Sequence, residues 1–234
     1  MKYKAIIFDA ADTLIDHRPN FAEIYGDKVR SLGLEVTEKD RREMHKAVYK
    51  AVGEKTLKVL NGSPRETSEE SDMIRNRAAL SCVNYNIDMT EIYLQLMAQI
   101  PKIKQEIYVI SGVFETLDFL KKKYRLAIVS NYAAFLADRL KELGLYQYFD
   151  SVVISDIVGI EKPDTRIMDI ALNELNLLPS ECLYVGDHPL DVLCSKKAGM
   201  DCAWISGDWD KLYESIPFKE DYRIRNITVL MDLL

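Results

Sequence analysis

The sequence predicts an α/β fold in which a doubly wound parallel sheet carries an inserted α-helical domain. Two observations lead to this fold class. Short apolar runs of strand length alternate with helical segments at the start of the chain and throughout its second half. Between them, residues 16–104 have helical periodicity and few β-branched runs. We therefore expect a core domain formed by residues 1–15 and 105–234, with a helical domain at 16–104.

The first strand is predicted at Ala5–Phe8, an apolar run that ends abruptly in Asp9. Such a run is typical of a parallel strand that is buried on both faces. The carboxyl ends of parallel strands open onto the ligand crevice, where a carboxylate can act as a nucleophile or a metal ligand. An aspartate that only stabilises the following turn is the alternative, and this stretch alone does not separate the two.

The inserted segment shows only helical patterns. Apolar residues recur every three or four positions, and turn sequences such as Asn61-Gly62-Ser63-Pro64 interrupt them. Helices are predicted at about 21–32, 40–60, 71–85 and 90–98. The many charged residues of this segment are interpreted as its solvated outer face.

The second half returns to alternation of strands and helices. Strands are predicted at Leu126–Val129, Val152–Ile154, Cys182–Val185 and Cys202–Ile205. Helices are predicted at Phe114–Lys123, Ala133–Leu143, from the 161–164 loop to about Asn176, at Asp191–Ala198 and at Thr228–Leu234. Strands that are separated by helices in this order indicate a parallel sheet with helices on both faces.

Composition narrows the class of protein. The 234 residues are 48% hydrophobic and 29% charged, the balance of a soluble globular protein. A net charge of -6 without a basic block disfavours nucleic acid as a partner. No apolar run approaches the ~20 residues that span a bilayer, and we expect neither a membrane association nor a signal peptide. The four cysteines form no CxxC pair, so we expect free thiols and a cytoplasmic location, with the chain a monomer or a homodimer.

Polar residues follow the predicted strands or lie in their connecting loops. They are Asp9, Ser130-Asn131, Lys162, Asp187 and Asp191. Taken alone, each has an ordinary interpretation: Ser130-Asn131 as a helix cap, Lys162 as a surface lysine, and Asp187 as a turn residue. Taken together they indicate a site, because the predicted topology brings them all to one edge of the sheet.

This set of residues suits the chemistry of phosphoryl transfer. Asp9 and Asp187 can hold Mg²⁺, and the cation together with Lys162 would offset the charge of a phosphoryl group. The Ser130 hydroxyl can bind phosphate oxygens, while the Asp9 carboxylate attacks phosphorus and forms an aspartyl-phosphate that water hydrolyses. Asp191 would serve as a metal ligand or as the residue that orients Lys162.

The chain resembles the haloacid dehalogenase (HAD) superfamily of hydrolases. The resemblance rests on Asp9-x-x-x-Thr13-Leu14-x-Asp16, Val129-Ser130-Asn131, Lys162-Pro163-Asp164 and Gly186-Asp187-x-x-x-Asp191. It implies a Rossmann-like core with a helical cap and Asp9 as the nucleophile. It also implies Lys162 as a phosphate-binding residue and Mg²⁺ held by Asp9, the backbone carbonyl of Ala11 and Asp187, with Asp191 in support. We expect Ser130, Asn131 and Thr13 to contact a small phosphorylated substrate.

Ala11 departs from the family pattern. Phosphatases of this family usually carry a second aspartate at this position, as general acid for the leaving group and as base for water. General acid–base help is worth about 10²–10⁴ in rate, so the difference bears on activity. Asp12, His17 and His188 are the neighbouring candidates for this role, and each also has a structural interpretation.

Three alternatives to a Mg²⁺-dependent phosphatase remain open. Haloacid dehalogenases also lack the second aspartate, and Arg18 is a candidate for their carboxylate-binding arginine. Phosphonoacetaldehyde hydrolases have alanine at the position of Ala11 and use a cap lysine as a Schiff base. The candidates here are Lys28, Lys46, Lys50, Lys55 and Lys58, although a solvated helix residue is the simpler interpretation of each. A catalytically weak member that only binds a phosphorylated ligand is the third alternative.

Overall fold

The computed structural model describes residues 2–31, 35–60, 73–74, 77–79, 81–82, 106–207 and 217–234. The chain forms two compact units, one made of Met1–Asp16 with Ile107–Leu234 and the other of His17–Glu106. Within the insertion, the expected helix at 90–98 and most of the one at 71–85 lie outside the described residues; residues 73–74 and 77–79 are helical.

The first unit is built on a six-stranded parallel sheet. Its strands are β1 (Ala5–Phe8), β4 (Arg125–Ser130), β5 (Ser151–Ile154), β6 (Cys182–Gly186), β7 (Asp201–Ile205) and β8 (Tyr222–Ile224). Their spatial order is β5-β4-β1-β6-β7-β8, with β1 between β4 and β6. Every residue of β1 is buried, as the apolar run predicted. The doubly wound α/β class is confirmed.

Helices precede or follow the strands of this sheet along the chain. They are α3 (Val113–Leu120), α4 (Leu136–Glu142), α5 (Ser155–Val158), α6 (Arg166–Leu175), α7 (Pro189–Lys197) and α8 (Leu230–Leu233). Short 3₁₀ turns lie at Tyr146–Tyr148, Pro179–Glu181 and Ile227–Val229. Leu117 and Leu140 of these helices and Ile128 of β4 are among the fully buried residues of the core.

The second unit contains two well-described helices, α1 (Phe21–Ser31) and α2 (Glu38–Leu60). Both begin with a reciprocal cap. Asn20 and Glu23 exchange side-chain to backbone hydrogen bonds at the start of α1, and Thr37 and Asp40 do so at the start of α2. These bonds satisfy backbone N–H groups that have no partner inside the helix.

Several short elements differ from the sequence prediction. The chain also forms a two-stranded sheet of β2 (Ile15–Arg18) and β3 (Glu106–Val109), and β8 follows the strand that was expected to be the last. These strands have three or four residues and are partly polar, so they carry no apolar run that would predict them. The expected closing helix at 228–234 is a 3₁₀ turn followed by one helical turn.

Two further observations concern the chain as a whole. The four cysteines are free thiols, as expected, and Cys182, Cys194 and Cys202 are buried. Of the helices that the structure describes, none is both long and apolar enough to cross a membrane.

Candidate active site

The candidate site lies at the carboxyl ends of β4, β1 and β6. In the parallel register, Phe8 of β1 is level with Ile128 of β4 and Val185 of β6. Asp9 follows Phe8 directly, and its backbone N–H continues the ladder by donating to the Val185 carbonyl at 2.9 Å. The strand ends are therefore held side by side, which brings the residues that follow them together.

Lys162 is the buried cation of the site. Lys162 is 3% exposed, and its ammonium donates to Asp9 Oδ1 at 2.8 Å and to Asp191 Oδ1 at 2.6 Å. Burial alone would lower the pKa of Lys162, but the two carboxylates outweigh this and raise the pKa above its usual range. The lysine is therefore charged at neutral pH, and the interpretation of Lys162 as a surface lysine is wrong.

The backbone of Lys162 is held by the side chain of Asn131. The amide oxygen of Asn131 accepts from the Lys162 N–H at 2.7 Å, and its amide nitrogen donates to the Lys162 carbonyl at 2.9 Å. Helix α4 begins only at Leu136, so Ser130-Asn131 is not its cap. The predicted substrate contact of Asn131 stays a prediction, and the structure shows its side chain engaged with Lys162.

Ser130 ends β4 beside Asp9. Its hydroxyl is buried and makes no hydrogen bond of ordinary geometry among the described residues. It nevertheless lies close enough to Asp9 to oppose the rise that burial causes in the pKa of the Asp9 carboxyl. A buried hydroxyl without a regular partner is costly, and an incoming phosphate oxygen would supply that partner.

Asp187 follows β6 and is fixed from two sides. The Thr13 hydroxyl donates to Asp187 Oδ1 at 3.0 Å, and the buried Trp204 indole donates to the Asp187 carbonyl at 2.7 Å. Burial raises the pKa of the Asp187 carboxyl well above its usual range, and the negative charge of Asp191 adds to the effect. Thr13, predicted to contact substrate, thus positions a carboxylate in this structure.

Asp191 links the start of α7 to Lys162. One of its oxygens accepts from the lysine, and the other accepts from the His188 backbone N–H at 2.9 Å. Gly186 leaves room for this carboxylate, because a Cβ at position 186 would lie 2.3 Å from Asp191 Oδ2. With both oxygens in protein contacts, Asp191 acts here as the residue that orients Lys162.

Three carboxylates meet at this point of the sheet. Oxygens of Asp9, Asp187 and Asp191 lie within 4.8 Å of one another. Among the described residues, the Lys162 ammonium contacts two of these carboxylates, Asp9 and Asp191, so three ionised carboxylates would carry more negative charge than this lysine offsets. Burial raises the pKa of Asp9 as well, despite the opposing charge of Lys162. A buried site that offers only oxygen ligands and has an excess of negative charge fits a hard divalent cation such as Mg²⁺.

The structure describes all three candidates for the general acid that is missing at Ala11: Asp12, His17 and His188. Asp12 is exposed, has a left-handed φ of 55° and donates its N–H to the Ile15 carbonyl, as expected of a turn residue. The His188 ring caps α7 by accepting from the Leu190 N–H at 3.1 Å. His17 is partly buried and lies in the second unit.

Tyr184 is a residue of the site that the sequence analysis missed. It lies in the fully buried strand β6, and its hydroxyl contacts the Lys162 ammonium at 3.0 Å. The available signal was a hydroxyl-bearing residue within the apolar run before Gly186-Asp187, because a buried hydroxyl needs a partner. Trp204 was expected to be core, and it is also a hydrogen-bond donor to the site.

The chain is similar to known proteins over most of its length. The model of a family described as haloacid dehalogenase-like hydrolase matches residues 6–205. The phosphorylated carbohydrates phosphatase of Thermotoga maritima is 28% identical over 200 residues, which cover 85% of this chain and 82% of that protein. The phosphoglycolate phosphatase of Aquifex aeolicus is 29% identical over 233 residues, 98% of this chain and 97% of that protein. The crystal structure of the HAD-hydrolase YfnB from Bacillus subtilis, bound to magnesium, shares the fold, with a TM-score of 0.68, 21% identity and coverage of 100% and 99%.

Proposed function

Because the chain belongs to the haloacid dehalogenase-like hydrolase family, we propose that it is a Mg²⁺-dependent phosphatase of small phosphorylated metabolites. The observation that carries the proposal is the buried contact between the Lys162 ammonium and Asp9 beside two further carboxylates. The two aligned phosphatases support the same activity.

Asp9 is the nucleophile in this proposal. One of its carboxylate oxygens contacts Lys162, and the other attacks phosphorus as the bond to the leaving oxygen breaks. Lys162 and the Ser130 hydroxyl offset the charge that gathers on the phosphoryl oxygens. Water then attacks the aspartyl-phosphate, which releases inorganic phosphate and restores Asp9.

Asp9, Asp187 and the Ala11 backbone carbonyl would hold the Mg²⁺, with Asp191 in support. The bound cation would neutralise phosphoryl charge and balance the excess carboxylates. Thr13 and Trp204 hold Asp187 in place for this task. The helical insertion at 16–104 is our candidate for the cap that selects the substrate. A cytoplasmic location, a monomeric or dimeric state and the absence of nucleic-acid or membrane partners stay predictions.

The alternatives are weaker on specific observations. Haloacid dehalogenases need no metal, whereas the cluster of Asp9, Asp187 and Asp191 could hold one. Of the candidate Schiff-base lysines, Lys46, Lys50 and Lys58 are exposed, whereas such a lysine needs a desolvated pocket. Lys55 is half-buried, and the side chain of Lys28 lies outside the described part of the chain. A pure phosphate-binding protein would not need the nucleophile Asp9.

One panel of assays tests the proposal. Release of phosphate, halide and acetaldehyde is measured with and without Mg²⁺, on the native protein and on Asp9→Asn. We expect phosphate release that requires both Mg²⁺ and Asp9. Halide release without metal would replace the proposal by dehalogenation, and acetaldehyde release by phosphonate cleavage. Phosphate binding without any turnover would show a binding protein.

A further inference from the structure

Tyr184 brings a single hydroxyl into the buried charge cluster. It accepts a hydrogen bond from the Lys162 ammonium at 3.0 Å and donates its own proton to the Val129 carbonyl at 2.8 Å. Asp191 Oδ1 lies 3.3 Å from the same hydroxyl. The residue is fully buried, so these contacts are made without competition from solvent.

The hydroxyl adds a neutral acceptor to the surroundings of Lys162. Among the described residues, the ammonium donates to the carboxylates of Asp9 and Asp191 and to the hydroxyl of Tyr184. The tyrosine hydroxyl is fixed by its own bond to the Val129 carbonyl, so it restricts rotation of the ammonium about the last side-chain bond of the lysine.

The same hydroxyl connects two parts of the site that are not neighbours in the sheet. Tyr184 lies on β6 and Val129 on β4, and β1 runs between these strands. Val129 directly precedes Ser130, whose hydroxyl is buried beside Asp9. Tyr184 therefore ties the position of Lys162 to the strand end that carries Ser130.

We propose that Tyr184 is a positioning residue for phosphate recognition, whose hydroxyl holds the Lys162 ammonium and the Ser130 strand end in one fixed arrangement. The inference rests on the proposed phosphatase activity and adds to it a residue outside the recognised segments. Tyr184 itself touches neither the substrate nor the reacting atoms. It acts through Lys162 and through the carbonyl of Val129.

Tyr184→Phe removes only the hydroxyl, and Tyr3→Phe is its matched control. Tyr3 is 3% exposed, and its hydroxyl also contacts two polar groups, Asp201 at 2.7 Å and Tyr222 at 3.1 Å. Neither contact involves the site. Both variants therefore lose the hydroxyl of a buried tyrosine together with its polar contacts, but only Tyr184→Phe loses a contact to Lys162.

The experiment measures kcat and KM for p-nitrophenyl phosphate with Mg²⁺ and the inhibition constant of inorganic phosphate, below the melting temperature of every variant. We expect Tyr184→Phe to lower kcat by about 10-fold and to weaken phosphate inhibition several-fold, with Tyr3→Phe unchanged. In a Lys162→Met background, Tyr184→Phe should weaken phosphate binding by a smaller factor than in the native protein, because the part of its effect that passes through the lysine is already lost. Values for Tyr184→Phe within twofold of the native protein would overturn the inference.

A fold-preserving replacement covers the case in which Tyr184→Phe does not fold. 3-Fluorotyrosine at position 184 keeps the ring and the hydroxyl but makes the oxygen a weaker acceptor for Lys162. We expect kcat to fall by at least about twofold, and an unchanged kcat would overturn the inference. Failure of the proposed function is distinguished by the native protein: if it does not hydrolyse the ester, the phosphatase activity fails, whereas an active native protein and an unaffected Tyr184→Phe overturn only the role of Tyr184.

Discussion

The Lys162 ammonium lies 2.8 Å from Asp9 Oδ1, although the two residues are 153 positions apart in the chain. Asp9 is held by the backbone ladder at the end of β1, and Lys162 by the side chain of Asn131. The contact pairs the expected nucleophile, Asp9, with the ammonium that would offset the negative charge of a phosphorylated substrate. Each prediction below changes one component of this arrangement.

Asp9→Asn should abolish phosphate release. The amide is a far weaker nucleophile than the carboxylate, and we expect kcat to fall by more than about 10³-fold. Asp138→Asn is the control, because Asp138 is 78% exposed in its surface ion pair with Lys141. Phosphate assays on both variants provide the measurement. Substantial activity in Asp9→Asn would assign the nucleophile elsewhere.

Lys162→Met should destabilise the protein in a pH-dependent way. Removing the cation leaves the Asp9 and Asp191 carboxylates buried without their ion pair, at a cost of about 3–5 kcal/mol near neutral pH. Burial raises the pKa of Asp9 and Lys162 opposes that rise, so without the lysine the pKa of Asp9 lies further above its value in the unfolded chain. The native state then binds more protons than the unfolded chain, and stability falls as pH rises. Thermal unfolding should therefore show a smaller deficit at pH 5 than at pH 7.5, with Lys141→Met close to the native protein at both. An equal deficit at the two pH values would contradict this.

Asp187→Asn should separate metal binding from stability. Burial and neighbouring charge raise the pKa of Asp187, so its ionised form is unfavourable in the metal-free protein, and neutralising it should raise the melting temperature. The same change removes a predicted metal ligand. We expect Mg²⁺ to raise the melting temperature of the native protein and to leave that of Asp187→Asn unchanged, and EDTA should reverse the shift. A native-like Mg²⁺ response in the variant would show that the cation binds elsewhere.

Gly186→Ala should displace the Asp191 carboxylate. The added Cβ would meet Asp191 Oδ2 at 2.3 Å and Asp191 Cβ at 2.8 Å, distances that force a shift. We expect a loss of stability of about 1–3 kcal/mol and a fall in kcat, because Asp191 orients Lys162. Gly207→Ala, which meets no atom within 4 Å, serves for comparison. Equal kcat values for the two variants would show that the position of Asp191 does not matter for turnover.

Ala11→Asp should raise activity on phosphate esters. It introduces a carboxyl group two positions after the nucleophile, and general acid–base help there is worth about 10²-fold or more. Ala11→Asn, which has the same size but no ionisable proton, should not raise it. The comparison is made on kcat/KM for an alkyl phosphate, whose leaving group needs a proton. Equal rates for the two variants would mean that another group already supplies it.

Local sequence patterns predicted some elements around the site and missed others. The apolar run Ala5–Phe8, the strand ends before Ser130 and Asp187, and the order of strands and helices all follow from periodicity and turn residues. The short strands β2, β3 and β8 escaped prediction, because three or four partly polar residues carry no such period. The helix-cap interpretation of Ser130-Asn131 failed, because α4 begins five residues after Asn131.

The sequence by itself determined the α/β class and which residue types meet at the carboxyl edge of the sheet. Both follow from local features of the chain: the apolar runs of the buried strands and the order in which strands and helices alternate. Only the tertiary structure decided what each side chain does there. Asn131 clamps the Lys162 backbone, Thr13 holds Asp187, and Tyr184 joins Lys162 to Val129. A hydrogen bond depends on a few tenths of an ångström between atoms whose residues are tens to hundreds of positions apart, and no local pattern encodes such a distance.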